Sequence, residues 1–285
     1  MAQAQAFPAG LVQPEGSMRF ALDSLLLACF AQREFEDQAP HALKNPLRQR
    51  KLPPSLQAES PSCHLAGELG AGAGSSLIGL LLLNPRLAGL GFELVPELVE
   101  AARENAARTG LASRLSFQQA DCAELAKEQG RPYLDLVLAN PPFWDEGMGK
   151  ACASSLAERA RRGRGSLELF CLAARRLLVA RGHGYFIYPA TQTARLVHAF
   201  AKAGLGLRRL LFVRAWPGKP ALRVLAEARK DCASDTLVLP DLVLYASSGH
   251  NGHDGQDGQG DAAPAYTPDA MHFCPWLDAR PPRRH

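Results

Sequence analysis

Short apolar runs alternate along the chain with segments in which apolar residues recur at helical spacing. From residue 64 onward the apolar runs predict five strands: His64–Leu69, Leu87–Glu93, Arg114–Gln119, Tyr133–Ala139 and His183–Tyr188. The segments between them predict five helices: Ser75–Leu83, Val95–Thr109, Cys122–Gln129, Ser166–Ala180 and Thr191–Ala203. Strands and helices that alternate in this way are typical of a parallel sheet covered by helices on both faces.

Two further apolar segments, Leu207–Arg214 and Leu222–Ala228, follow one another with no helix between them. Strands joined by a short connection pair antiparallel, so we expect a hairpin at one edge of the sheet. The predicted fold class is therefore α/β. It has a Rossmann-like, seven-stranded, mostly parallel sheet with helices on both faces and an antiparallel edge hairpin.

The same pattern divides the chain into five parts. Residues 1–35 form an N-terminal helical segment, whose helix is predicted to begin at Asp23, a residue type that caps helices. Residues 36–62 are polar and contain five prolines, which is typical of an insertion or loop. The remaining parts are the α/β domain at 63–245, a Gly-, Asp-, Gln- and His-rich linker at 246–264 that we expect to be disordered, and a C-terminal tail at 265–285.

Composition excludes several classes of protein. Of the 285 residues, 47% are hydrophobic, which suits a globular protein, yet no run approaches the roughly eighteen apolar residues of a membrane span. The first sixteen residues show no export signal. The seven cysteines form no Cys-x-x-Cys pair, which fits reduced thiols and predicts no metal site. We expect a cytoplasmic monomer without a metal.

Positive charge is concentrated in one part of the chain. The net charge is only +4, but residues 151–230 hold sixteen Lys or Arg against three acids, a local net charge of +13. Such a region indicates a surface that faces a polyanion, with Arg159, Arg161, Arg162 and Lys219 as candidate phosphate contacts. The alternative for each of these residues is an ordinary solvated surface position.

The loop Asn140-Pro141-Pro142-Phe143 follows the fourth predicted strand and carries an unusual set of hydrogen-bonding groups. Each proline removes a backbone N–H, so the loop offers acceptors but few donors. The Asn140 side-chain oxygen and the Pro141 carbonyl can together accept both hydrogens of a planar NH2 group. Phe143 offers a face for stacking, and Trp144 is a second aromatic candidate. The alternative is a strand-ending turn with Phe143 in the core.

A glycine-rich turn follows the first predicted strand, beginning at Glu68 and placing glycines at Gly70, Gly72 and Gly74. Glycines at a strand-to-helix turn allow backbone N–H groups to approach a ligand closely. A tight structural turn is the alternative interpretation.

Acidic residues end the next two predicted strands. Glu93 can accept hydrogen bonds from ribose hydroxyls, and Asp121, followed by Cys122, can accept one from an adenine amino group. Each acid alone could instead cap a helix. The carboxyl ends of parallel strands meet at one edge of the sheet, so these residues are predicted to lie beside Asn140.

This succession of motifs resembles class I S-adenosylmethionine-dependent methyltransferases over roughly residues 64–230. The resemblance implies S-adenosylmethionine as methyl donor, with Glu68–Gly74 as the first donor motif and Glu93 as the ribose acid. It also implies that Asp121, with the adjoining Cys122, contacts the adenine of the donor. Asn140–Phe143 matches the loop of amino-methylating members of the class, which makes Asn140, Pro141 and Phe143 the implied catalytic residues.

A closer resemblance is to the bacterial valine-tRNA adenine-37 N6-methyltransferases. It rests on three segments outside the shared core: Gly16–Ala28, Pro217–Ala221 and Tyr266–Pro268. The resemblance implies N6-methylation of adenine in a tRNA and an N-terminal segment that packs over the donor. The chain departs from the family in the 36–62 insertion and in the basic run Arg159–Arg164, which replaces the family's Arg-His-Glu.

Three alternatives remain open at this point. Methyltransferases that act on a protein glutamine amide use a similar loop, although the short N-terminal region leaves little room for their helical domain. A ribosomal RNA or DNA adenine is a second possible acceptor, because the loop recognises a base and not its polymer. The third alternative, from another class, is an RNA-binding module on a degenerate methyltransferase fold.

Overall fold

The computed structural model describes residues 7–14, 22–42, 64–143, 166–246 and 264–277. Side chains in the helix that ends at Ala42 are described as far as Phe35. Four predicted substrate residues, Trp144, Arg159, Arg161 and Arg162, lie outside the described residues. In the part of the chain that is described, no helix is long and apolar enough to cross a bilayer.

Nine strands of the described chain form one sheet: β1 His64–Leu69, β2 Leu87–Glu93, β3 Leu115–Gln119, β4 Leu134–Ala139, β5 Leu178–Pro189, β6 Leu205–Arg214, β7 Ala221–Lys230, β8 Leu237–Val238 and β9 Leu242–Val243. The same described residues contain seven helices: α1 Leu22–Ala42, α2 Ser75–Leu83, α3 Pro96–Arg108, α4 Cys122–Leu125, α5 Leu167–Leu177, α6 Thr193–Ala203 and α7 Pro268–Phe273. Short 3-10 turns lie at Ala190–Gln192 and Pro275–Leu277.

The strand order is β3-β2-β1-β4-β5-β7-β6-β8, and β9 also pairs with β6. Strands β1 to β5 run parallel to one another, whereas β7 is antiparallel to both of its neighbours, β5 and β6. The α/β class, the mostly parallel sheet and the antiparallel hairpin are thus confirmed. The hairpin is not outermost, because β8 and β9 pair with β6 beyond it. Two-residue strands have no periodicity that a sequence pattern can reveal.

Helices cover both faces of the sheet, as predicted. On one face α1, α2 and α3 pack with the C-terminal segment, and this core includes Phe30, Leu77, Val99 and Trp276. On the other face α5 and α6 bury residues such as Phe170 and Phe200. The central strands are therefore apolar on both sides, and all six residues of β1 are buried.

Most element boundaries lie within two residues of the prediction, and the larger differences are in α1, α4, α5 and β5; α4 ends at Leu125 and not at Gln129. Helix α1 extends to Ala42, so the first seven residues of the predicted 36–62 loop are helical and only the remainder lies outside the described residues. Strand β5 begins at Leu178, so the predicted end of the preceding helix at Ala180 was wrong. Leu178 already pairs with Leu134, and the pairing resumes at His183 after an irregularity.

Candidate functional site

Three strand ends converge at one edge of the sheet. In the register of the parallel pairs, Leu69 of β1 lies opposite Phe92 of β2 and Ala139 of β4. The residues that follow these strands are therefore neighbours in space: the glycine turn after β1, Glu93 at the end of β2 and Asn140 after β4. This edge is where open α/β sheets bind ligands.

The glycine turn adopts a backbone conformation that is unfavourable for residues with a side chain. Gly70, Gly72 and Gly74 have φ values of 65°, 57° and 88°, in the left-handed region that glycine enters without penalty. A Cβ added at Gly74 would lie 2.6 Å from the Phe117 ring. The turn therefore depends on glycine both for its conformation and for its approach to β3.

Glu68 is buried at the end of β1, where its Oε2 accepts a hydrogen bond of 3.0 Å from the Leu77 backbone N–H. Helix α2 receives no side-chain cap from Gly74, which occupies its N-cap position. Glu68 thus satisfies one of the free N–H groups in the first turn of the helix. Its predicted contact with the donor stays a prediction.

Glu93 is fully buried and ties the end of β2 to the glycine turn. Its Oε2 accepts a 2.8 Å hydrogen bond from the Gly72 N–H. Its Oε1 accepts hydrogen bonds from the Leu94 and Val95 N–H groups at 2.9 and 3.1 Å. These bonds hold the Glu93 carboxylate directly beside the turn.

Asp121 caps α4, because its Oδ1 accepts a 2.8 Å hydrogen bond from the Ala123 N–H. Helix capping is the alternative role that the sequence analysis gave for this residue. Within the described residues its Oδ2 has no partner, and the side chain is half-buried at the end of β3. The neighbouring Cys122 is buried against the core that contains Leu90 and Phe92 of β2.

Asn140 carries the most informative atom of the site. Its Oδ1 is buried and finds no hydrogen-bond partner among the described residues. Leaving a buried acceptor unpaired costs roughly 1–3 kcal/mol, so such atoms in folded proteins call for an explanation. A ligand that donates an N–H to this oxygen would remove the cost.

Phe143 is 41% exposed, which contradicts the alternative interpretation that it is a core side chain. Its ring lies edge-on to Tyr188, with 6.1 Å between the ring centroids. Burial raises the pKa of Tyr188, so its hydroxyl stays protonated at neutral pH. The loop after β4 therefore combines a buried acceptor with an exposed aromatic ring.

Arg223 of β7 is a neighbour of this loop that the sequence placed only within a broad basic region. Its guanidinium carbon lies 5.1 Å from the centroid of the Phe143 ring. Its Nε donates a 2.9 Å hydrogen bond to Asp23 Oδ2 in the first turn of α1. Two hundred residues separate Asp23 from Arg223, so no local pattern indicates that they pair.

Asn105 of α3 is a second residue that the sequence analysis missed. Its side chain is fully buried and holds Val12 by two hydrogen bonds, from the Val12 N–H at 2.6 Å and to the Val12 carbonyl at 3.0 Å. It also donates to the Ala73 carbonyl in the glycine turn at 3.0 Å. Asn105 thereby fixes Val12 next to the turn.

Lys219 is exposed in the turn between β6 and β7, at the same end of the sheet as Asn140. Beside this turn, Trp216 packs on Tyr245 at 4.7 Å and Tyr245 stacks on Tyr266 at 5.0 Å. The two C-terminal segments singled out by the sequence, 217–221 and 266–268, are thus brought together. Among the described residues, no cluster of His, Cys, Asp or Glu has the arrangement of a metal site.

Proteins of similar sequence identify the family. A family model described as "Methyltransferase domain" matches residues 68–193. The tRNA1(Val) (adenine(37)-N6)-methyltransferase of Porphyromonas gingivalis is 30% identical over 188 residues, covering 64% of this chain and 73% of the relative. The chain belongs to this family of S-adenosylmethionine-dependent methyltransferases.

A further relative agrees with this membership, and a solved structure shares the fold. A protein of the same name from Erwinia tasmaniensis is 31% identical to this chain over 174 residues, covering 60% of this chain and 70% of the relative. A solved structure, a predicted O-methyltransferase from Agrobacterium tumefaciens, has a TM-score of 0.59 at 19% identity and covers 90% of this chain and 97% of its own. At that identity the likeness shows the fold alone.

Proposed function

We propose that this methyltransferase transfers a methyl group from S-adenosylmethionine to the exocyclic N6 nitrogen of an adenine in RNA. By resemblance, the RNA is a tRNA and the base is adenine-37 of a valine tRNA. The observation that carries the proposal is the buried Oδ1 of Asn140, which has no hydrogen-bond partner among the described residues, next to the exposed ring of Phe143.

The residues at the edge of the sheet fit the donor. The turn at Gly70, Gly72 and Gly74 leaves the backbone open to close approach, since it carries no side chains at these positions. Glu93 is held against that turn by the Gly72 N–H, where it is suited to ribose hydroxyls, while Asp121 Oδ2 is suited to the adenine amino group. When bound there, S-adenosylmethionine supplies an electrophilic methyl group, and S-adenosylhomocysteine is the product.

The acceptor nitrogen needs activation by geometry, because its lone pair is delocalised into the adenine ring. Asn140 Oδ1 and the Pro141 carbonyl accept its two N–H groups, which draws the nitrogen toward tetrahedral geometry and frees the lone pair. Holding two reactants in line contributes up to roughly 7–11 kcal/mol. The methylated nitrogen is cationic and loses its proton readily, so the mechanism requires no strong general base.

Phe143 and the basic surface favour a base in RNA over a protein glutamine. An adenine inside folded RNA must leave its stack, and stacking on an aromatic ring recovers about 1–3 kcal/mol. A glutamine amide has no ring face to match the exposed side chain of Phe143. The net charge of +13 over residues 151–230 suits a phosphate backbone and not a neutral peptide.

The test supplies tritiated methyl donor separately with tRNA, ribosomal RNA, DNA and protein, and then digests the polymer that becomes labelled. We expect label in tRNA that elutes as N6-methyladenosine. A valine tRNA transcript with guanine in place of adenine-37 is the matched control and should remain unlabelled. Label in protein, or in DNA alone, would refute the proposal.

A further inference from the structure

Arg223 occupies the space between the N-terminus of α1 and the loop that contains Phe143. Its Nε donates to Asp23 Oδ2 at 2.9 Å, and its Nη1 donates to its neighbour's carbonyl, that of Leu222, at 3.1 Å. The guanidinium carbon is 5.1 Å from the centre of the Phe143 ring. The side chains of Arg223 and Asp23 are 30% and 16% exposed, so the pair is partly shielded from water.

The sheet explains why Arg223 reaches this loop. Strand β7 is antiparallel to β5, with Val224 opposite Tyr188 and Arg223 opposite Pro189. Arg223 therefore lies at the end of the sheet where β4 delivers Asn140 and Phe143. Among the described residues, the Phe143 ring lies there against the edge-on ring of Tyr188 and the guanidinium of Arg223.

The pairing with Asp23 fixes the guanidinium in place. Asp23 lies in the first turn of α1, where the helix dipole stabilises a carboxylate. Two of the three guanidinium nitrogens are engaged, by Asp23 and by Leu222, so the orientation of the planar group is restricted. A planar cation held against an aromatic ring attracts it electrostatically, and lysine does not reproduce this geometry.

We propose that Arg223 is a positioning residue: held by Asp23, it fixes the Phe143 ring so that the ring is already oriented when the acceptor base arrives. The inference rests on the proposed function, because it assigns Phe143 the role of stacking that base. It also links the N-terminal helix to the loop, since Asp23 orients Arg223 and Arg223 orients Phe143. Because the ring is already ordered, binding of the base does not have to restrict its rotation, and less conformational entropy is lost.

The test is a double-mutant cycle of Arg223→Met and Phe143→Ala, with kcat and KM for RNA measured in each variant. Arg223→Met alone should raise KM by about two- to thirtyfold, the range expected for a cation–π contact. The same change in the Phe143→Ala background should have little further effect, because the ring through which Arg223 acts is gone. Equal costs in both backgrounds would overturn the inference.

Conservative variants distinguish a positioning role of Arg223 from a general structural role. Arg223→Lys should recover only part of the loss, since lysine keeps the charge but not the planar fork. Asp23→Asn should shift KM for RNA in the same direction as Arg223→Met while leaving the dissociation constant for the donor unchanged. Full rescue by lysine, or a change in kcat alone, would contradict a role in orienting the ring.

Arg175 provides a matched control. It pairs with Asp231 at 2.8 Å, and its side chain is 31% exposed, close to the value for Arg223. Asp231 follows the far end of β7, eight residues after Arg223 and therefore about 26 Å away. Arg175→Met removes one positive charge from the 151–230 region, as Arg223→Met does, and should raise KM for RNA much less. Equal rises in the two variants would assign the effect of Arg223 to its charge alone and overturn the inference.

The inference and the proposed function fail in different ways. If the wild-type protein methylates no RNA, the proposed function fails first. If the wild type methylates RNA and Arg223→Met has a normal KM and a normal melting temperature, only the role of Arg223 is refuted.

Discussion

At the scale of single residues, the site is defined by groups that the fold leaves unused. Most buried polar atoms in a folded protein have a partner, yet Asn140 Oδ1 has none in the described chain. Most large aromatic side chains are buried, yet Phe143 is 41% exposed. Both features oppose stability and both lie in one four-residue loop. We interpret them as a cost that the protein bears for its substrate.

Replacing Asn140 by Ala should therefore not destabilise the protein. The substitution removes an unsatisfied buried acceptor, so we expect the free energy of unfolding to stay the same or rise by about 1 kcal/mol. Gln32→Leu is the control, because Gln32 Oε1 is the other buried acceptor without a partner in the described residues. Urea unfolding measures both, and a loss of more than about 1 kcal/mol in Asn140→Ala would argue for a structural role.

Phe143→Ala should weaken capture of the acceptor. Stacking on an aromatic ring contributes about 1–3 kcal/mol, so KM for RNA should rise by roughly 5- to 150-fold. Leu172→Ala is a matched control, because Leu172 is 42% exposed on α5 but belongs to no part of the site. Steady-state kinetics with RNA compares the two. Indistinguishable KM values for both variants would show that Phe143 is an ordinary surface residue.

At the scale of elements, the sequence predicts best where burial is complete. Strands β1 and β2 and helix α2 have the predicted ends, because nearly all their residues are buried and turn residues flank them. The positions of Glu93 and Asn140 beside the glycine turn followed from the rule that parallel strands share a ligand-binding edge. That much of the site could be derived from local patterns.

Other features could not be read from local patterns. The contacts of Asp23 with Arg223 and of Val12 with Asn105 join residues 200 and 93 positions apart. The extension of α1 to Ala42 runs through polar residues and a proline, where propensity argues for a loop. Tertiary packing decided the two long-range contacts, and no periodicity in the sequence indicates them.

The glycine turn leads to a prediction about donor binding. Gly74→Ala and Gly110→Ala both force alanine into the left-handed region, at φ values of 88° and 71°, which should cost each about 1–2 kcal/mol. Only Gly74 lies at the proposed donor site, and only there does the added Cβ meet another residue, Phe117. Calorimetry should show donor affinity at least about tenfold weaker in Gly74→Ala and normal in Gly110→Ala. Equal donor affinities in the two variants would show that the turn does not bind the donor.

At the scale of the whole molecule, a buried polar cluster includes Glu227 of β7, four residues from Arg223 and therefore about 13 Å away along the strand. His183 Nδ1 donates to Glu227 Oε1 at 2.9 Å, and Arg209 bridges Glu227 and Glu34 at 2.6 and 2.8 Å. The cluster joins α1 to β5, β6 and β7. Burial lowers the pKa of His183 despite the hydrogen bond to Glu227. Burial alone would raise the pKa of Glu227, but its hydrogen bonds from His183 and Arg209 lower it.

These pKa shifts predict that stability falls on acidification in two ranges. As the pH falls below about 6.5, His183 becomes protonated in the unfolded chain but stays neutral in the folded protein. The free energy of unfolding therefore declines by up to about 1.4 kcal/mol per pH unit. The stabilising charge of Glu227 is lost only at lower pH, as the pH falls below about 4.3 toward its folded pKa. His183→Gln should therefore reduce the pH dependence between 7.5 and 5.5.

Urea unfolding at the two pH values tests this prediction. His198→Gln is the control, because His198 is exposed on α6 and should retain the wild-type pH dependence. An identical pH dependence in His183→Gln and in the wild type would contradict the assignment to the buried cluster.

The central claim is that Asn140 acts on the acceptor nitrogen and not on folding or on the donor. Its most direct test is the single-turnover rate of methyl transfer to RNA, with enzyme in excess, for the wild type and Asn140→Ala, alongside the calorimetric affinity for S-adenosylmethionine. We predict a rate at least about a hundredfold lower, comparable to the loss of one transition-state hydrogen bond, with donor affinity nearly unchanged. A variant that transfers the methyl group at the wild-type rate would contradict the account.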